Sequence, residues 1–195
     1  RCRRRRVTLL KMALVPLVVW LASMAGRRWG HSVSGWIAGL PLIAGPIMVF
    51  LVLDHGPEFG ARISTALLHA TAGPVAHCLA FAWASRRFGW VGSLACGIAA
   101  FLVTAFTVSA FTLPAWVAFV VVIALIIAST RWMPRVSALA GPAEIPRVEI
   151  VVRVVAAALI AAAVTFGATG LGPRLSGVLL AFPISGTVMP SFTRA

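Results

Sequence analysis

Gly30–Phe50 reads GHSVSGWIAGLPLIAGPIMVF, and Gly172–Phe192 reads GPRLSGVLLAFPISGTVMPSF. Laid one above the other without a gap, Gly30 falls on Gly172, Ser34-Gly35 on Ser176-Gly177, Pro41 on Pro183 and Phe50 on Phe192, a constant offset of 142 residues (172 − 30). The register persists upstream, where Lys11 falls on Arg153, Leu17 on Leu159 and Ser23 on Thr165. An internal repeat decides how a whole fold is read. Here it predicts two related halves, the second of them expected to be cut short.

The medium follows from composition. Of the 195 residues 61% are hydrophobic and only 11% charged, and the mean hydropathy is +1.00. Soluble domains carry charge on about a quarter of their residues. Several apolar runs approach the ~20 residues that cross about 30 Å of hydrocarbon. The alternating segments of roughly ten residues that a membrane barrel needs are missing from the sequence. The expected class is therefore all-α: a polytopic transmembrane bundle of about seven helices, with lipid as its first partner. A net charge of +13 would suit nucleic acid. The arginines are placed otherwise, at the N-terminus (Arg1, Arg3 to Arg6) and mostly between apolar runs, which is how membrane loops are marked. No nucleic-acid partner is expected. Cys2, Cys78 and Cys96 form neither a CxxC pair nor an even set, and no chemistry is assigned to them.

The apolar segments are expected at about residues 9–25, 33–53, 63–84, 90–111, 115–128, 148–167 and 175–192. The first also resembles a secretory signal, with arginines, an apolar core and Ser23-Met24-Ala25. Its internal counterpart at about 148–167 argues for a retained helix, because an internal helix cannot be a cleaved signal. Residues 1–133 then form a first five-helix unit, 134–147 a loop rich in proline, and 148–195 a truncated second unit. Because five helices precede the second copy, its first helix runs opposite to that of the first copy. This is the inverted-topology repeat of many secondary transporters. Reading Leu113-Pro114 as a kink would make the repeat parallel, but about 45 residues from Phe88 to Trp132 exceed one crossing. A native chain near 275 residues, with three more helices, is the matching expectation. Arg27-Arg28, Arg86-Arg87 and the stretch with Arg131, Arg135 and Arg147 fall on one side, which positive-inside bias makes cytoplasmic.

The repeated motif is Ser-Gly, three residues, a small residue, one residue, then proline. Ser34, Gly35, Gly39, Pro41, Gly45 and Pro46 carry it in the first copy, and Ser176, Gly177 and Pro183 in the second. A helical proline leaves a carbonyl without its usual donor, which in lipid must find a partner from protein or from cavity water. Paired Gly/Pro-interrupted segments in two halves point to a substrate site near the midplane. Close helix packing by the same glycines carries equal weight. His69 and His77 are candidates for a proton or polar relay, turned about 80° apart on one helix. They form no convincing metal site. Lys11 and Arg153 match across the repeat and are read as snorkelling to headgroups, Arg153 with Glu149 four residues earlier as a helical ion pair. Gly92, Ser93, Cys96 and Gly97 read as a packing face, and the 115–128 segment as lipid-facing.

Five helices followed by an inverted copy resembles the drug/metabolite transporter superfamily in topology. SGWIAGLPLIAGP, residues 34–46, is similar to uncharacterised bacterial multi-pass membrane proteins. The resemblance implies a transporter or permease for a small solute in a bacterial inner membrane, and it assigns no residue a role. A non-transporting scaffold or accessory subunit of an envelope pathway is the competing expectation. No GxxxxGK[ST], HExxH or GxSxG occurs and no carboxylate pair lies in a span, so neither enzyme activity nor a cofactor is expected. A second copy of the chain is a candidate partner.

Overall fold

The structure, a computed structural model, describes residues 17–21, 24, 44–111, 113–134, 147–184, 186 and 187. All secondary structure among them is helical: α1 Ala44–His55, α2 Pro57–Ala70, α3 Ala72–Ala84, α4 Trp90–Ala110, α5 Ala115–Trp132 and α6 Arg147–Leu180, with residues 17–21 also helical. Pro57–Ala84, Trp90–Ala110, Ala115–Trp132 and Ile150–Gly167 are each long and apolar enough to cross a membrane. Lys11, Ser34, Gly35, Gly39, Pro41 and most of the expected 134–147 loop lie outside the described residues.

Glycine and proline make the joints. Gly56, at φ 88° and ψ 166°, links α1 to α2, a backbone region open essentially to glycine alone. Pro57 then opens α2, its missing N–H costing nothing there. The span accordingly begins ahead of the expected start near residue 63. An apolar run stops at charged residues, whereas the helix carries Glu58 and Arg62 as an exposed ion pair of 2.6 Å. Gly56→Ala is expected to destabilise the protein by about 1–3 kcal/mol. Thermal unfolding in detergent measures this, and an unchanged midpoint would refute it.

α2 and α3 form one 28-residue span interrupted at Thr71. Pro74 cannot donate to the Ala70 carbonyl, and its ring crowds that turn. The Thr71 N–H instead meets Leu67 O at 3.0 Å and Leu68 O at 3.2 Å, and its hydroxyl donates to Leu67 O at 2.8 Å.

Leu113-Pro114 separates two helices, with Pro114 as the N-cap of α5. His77 lies against Gly97, and Gly73 against Phe101 and Ala105, so α3 and α4 are antiparallel. His69 reaches Leu113, and Trp83 reaches Trp132, so α5 runs back parallel to the α2–α3 span. Arg86 and Arg131 therefore mark one end of the bundle, the basic end. The start of α2 marks the far end.

Gly172, at φ 73° and ψ 170°, divides α6. One core cluster takes Ala157, Ala161 and Val164 from the first arm and Leu180 and, just beyond the helix, Ile184 from the second side. At 1.5 Å per residue a straight rod would hold Ala157 and Ile184 about 40 Å apart, so the chain doubles back at Gly172. Arg174 sits at the far end, its Nη2 donating to Phe106 O at 3.0 Å and its Nε to Ser109 Oγ at 3.3 Å. From there the chain runs inward to Gly186, beside His77. α1 runs the other way. Val52 closes on Gly60, and Ile47 and Leu51 share a cluster with Ile63, so α1 folds back along α2 and heads for the far end. α1 and the arm that follows Gly172 thus run in opposite senses.

Between helices in lipid, burial offers little hydrophobic drive, and close approach at small residues replaces it. Ser93, Gly97, Phe101 and Ala105, spaced by four, form the buried face of α4. The expected face is half right: Ser93 and Gly97 are inside, while Cys96 is exposed and Gly92 faces Phe88 of its own chain segment. In α5 only Ala118 and Val122 are buried, and Trp116, Phe119, Val120 and Ile127 are turned outward, as read from the sequence.

Candidate functional site

Among the described residues the buried polar side chains are few: His69, His77, Ser93, Arg153 and Ser176. Three of these five, His69, His77 and Ser176, are candidate site residues from the sequence, and the second motif copy organises two of them.

Gly172 starts that copy by turning the chain, and Pro173 opens the returning arm. Ser176 is fully buried, and its Oγ has no hydrogen-bond partner among the described residues. Gly177 lies directly on α2: a Cβ there would stand 2.7 Å from Leu67 N and 2.8 Å from the Ala66 carbonyl carbon. This glycine is a packing residue, since the backbone it meets cannot move aside. The helix ends at Leu180, short of the expected run to 192. Pro183 is the cause. It has no N–H to give to Leu179 O, which instead accepts from Phe182 N at 3.2 Å. The chain turns at Ala181–Pro183 and coils again, with Thr187 N bonded to Pro183 O at 3.0 Å. Phe182 meets Phe101 edge-on, centroids 5.3 Å apart, holding the break against α4.

His77 faces this break. Its Nε2 lies 3.3 Å from Gly186 O, and on the other side its ring edge packs on Gly97, where a Cβ would come within 2.9 Å of Cε1 and Nδ1. With the Nε2–H donating to Gly186 O, Nδ1 is left as an acceptor, buried and without a partner among the described residues. Gly97 and Gly186 thus make room for one imidazole between α4 and the broken segment. Spacing along α3 could not reveal this pairing; only the return of the chain at Gly172 brings Gly186 there.

His69 is used differently. Nδ1 lies 2.8 Å from Thr65 O and Nε2 3.1 Å from Leu113 O. Both oxygens only accept. A neutral ring donates to one of them and an imidazolium to both. Either way the ring fastens α2 to the α4–α5 turn. No described residue connects it to His77 by hydrogen bonds.

Arg153 corrects the snorkelling reading. It is 5% exposed and lies on the stripe Ile150, Arg153, Ala157, Ala161 and Val164, the core-facing side of α6. The stripe's spacing of three and four was legible in the sequence and would have placed it inward. The side chain of Glu149, its expected ion-pair partner, lies outside the described residues. Of the first copy's motif residues, Gly45 and Pro46 are the ones described. Both are in α1, and a Cβ at Gly45 would meet nothing within 4 Å. No three His, Cys, Asp or Glu residues gather into a metal-binding group among the described residues.

No known protein family, no curated protein and no solved structure matches the chain.

Proposed function

We propose that this chain belongs to a membrane transporter or permease for a small solute, built as an inverted repeat and moving its cargo past the break at Ala181–Pro183. The observation that carries the reading is the pairing of that break with a buried histidine. A discontinuous helix exposes backbone polar groups at depth, which is tolerated only inside protein or along a water-filled cavity. Discontinuous helices in matching positions of two halves are where secondary transporters bind substrate. The opposite senses of α1 and the arm after Gly172 are in keeping with an inverted repeat, and the shared end of Arg86 and Arg131 supports a cytoplasmic basic end in a bacterial inner membrane. His77 is the group assigned to meet the cargo or a coupling proton, since neutral imidazole presents both a donor and an acceptor.

Alternating access makes the test independent of the cargo. In a chain with Cys2, Cys78 and Cys96 replaced by serine, cysteine is placed at Ala181. A membrane-impermeant maleimide is applied from either face of oriented vesicles. Labelling from both faces, with the ratio of the two rates shifting when the vesicle pH is changed equally on both sides, is the expected result; the ratio cancels the thiolate's own pH dependence. Labelling from one face only, or from neither, would favour a non-transporting scaffold.

A further inference from the structure

A second site lies at the basic end, away from the broken helix. Leu79, Ala80, Trp83, Arg86, Arg131, Trp132, Met133 and Pro134 line an open groove of about 710 Å³ between the ends of α3 and α5. Its floor is apolar. Trp83 and Trp132 line it, and Trp83 Nε1 donates to the backbone carbonyl of Trp132 at 3.0 Å, which ties the Trp83 indole to the end of α5. Arg86 stands over the Trp83 ring, Cζ 5.2 Å from the centroid, which holds the guanidinium at the rim. Arg131 comes from the last turn of α5. Among the described residues neither arginine has a carboxylate partner; the ion pair of Arg62 with Glu58 lies at the start of α2. Asp54 and Glu58 stand at the opposite end of the bundle.

We infer that this groove holds an anionic glycerophospholipid, its phosphate between Arg86 and Arg131 and an acyl chain along Leu79 and Ala80. Two cations with no carboxylate partner among the described residues provide charge complementarity, and guanidinium is the side chain that grips phosphate oxygens in pairs. Tryptophan belongs at headgroup depth, and basic pockets between spanning helices on the cytoplasmic side take anionic headgroups. The apolar floor selects a lipid over a free phosphate. The site rests on the membrane reading but not on transport, so either proposal can fail without the other.

The test uses the full-length protein in neutral detergent with dioleoyl-phosphatidylglycerol or dioleoyl-phosphatidylcholine added, bound lipid being counted by native mass spectrometry. Phosphatidylglycerol is expected to bind at least tenfold more tightly. At roughly 1 kcal/mol per basic residue near the headgroups, Arg86→Gln with Arg131→Gln together should weaken phosphatidylglycerol about thirtyfold and leave phosphatidylcholine unchanged. The charge-retaining Arg86→Lys with Arg131→Lys should keep most of the preference, which excludes misfolding as the cause. Arg174→Gln, at the far end, should change neither lipid. Equal binding of the two lipids would overturn the proposal, as would an unchanged preference in the Gln pair. Displacement of the lipid by an equal concentration of inorganic phosphate would show a simple anion site and overturn it too.

Discussion

Replacing Gly177 with leucine is expected to destabilise the protein by about 3 kcal/mol or more, at the upper end of what overpacking costs. The reason is the nature of its neighbours. A Cβ would stand 2.7 Å from Leu67 N and 2.8 Å from the Ala66 carbonyl carbon, and backbone within a helix cannot yield as a side-chain tip can. Leucine adds three further carbons to that clash. The arm carrying Ser176 and Val178 would have to lift off α2, taking with it the contacts of Val178 and Ala181 with Ala70, Phe101 and Ala105. Gly45→Ala is the contrast. It lies in the first turn of α1 with nothing within 4 Å of its Cβ, so alanine there meets no clash and should shift stability by under about 1 kcal/mol, the gain in helix propensity being opposed by the steric demand of Pro46. Thermal unfolding in detergent and elution as a single species measure both. A soluble, monodisperse Gly177→Leu protein with an unchanged midpoint would show that the arm does not lie on α2.

That contrast also separates what the sequence made legible from what it hid. Helices α4 and α5 fall close to their expected limits, because each is a long apolar run bounded by glycine, proline or arginine. The join at Leu113-Pro114 was legible from length alone. The motif's position was legible too, but the division of labour inside it was not. Gly172 turns the chain, Gly177 packs, and Pro183 ends the helix. In a one-dimensional pattern packing and chain-breaking carry equal weight, and nothing there says which glycine does which. Glycine identity does not say whether a Cβ is excluded by conformation, by a neighbour, or not at all, as at Gly45. Arg153 was misplaced because nearness to a helix start was weighed above the face it occupies. The meeting of His77 with Gly186 spans 109 residues of sequence, and no local spacing carries such a contact.

His77→Leu is the substitution expected to affect function most. Leucine fills much of the space of an imidazole between Gly97 and Gly186, so the cavity term stays small. What is lost is the Nε2 donor to Gly186 O, a hydrogen bond worth about 1 kcal/mol net, and a buried carbonyl is left to be satisfied elsewhere. A moderate fall in stability, about 1–3 kcal/mol, is therefore expected on structural grounds alone. The functional prediction goes beyond it. His77 holds its Nδ1 buried and unpartnered among the described residues, an arrangement that costs free energy unless another state of the protein, or a bound solute or proton, makes use of it. If the break at Ala181–Pro183 is where cargo passes, removing that group should abolish the pH response of the two-face labelling ratio at position 181 and slow labelling from one face at least tenfold. His77→Gln, which keeps a donor able to reach Gly186 O and an amide oxygen as acceptor, should restore two-sided labelling but not its pH response. A merely structural histidine would behave otherwise. His77→Leu would then lower the unfolding midpoint while leaving the pattern of access unchanged, and the site would have to be sought elsewhere in the bundle.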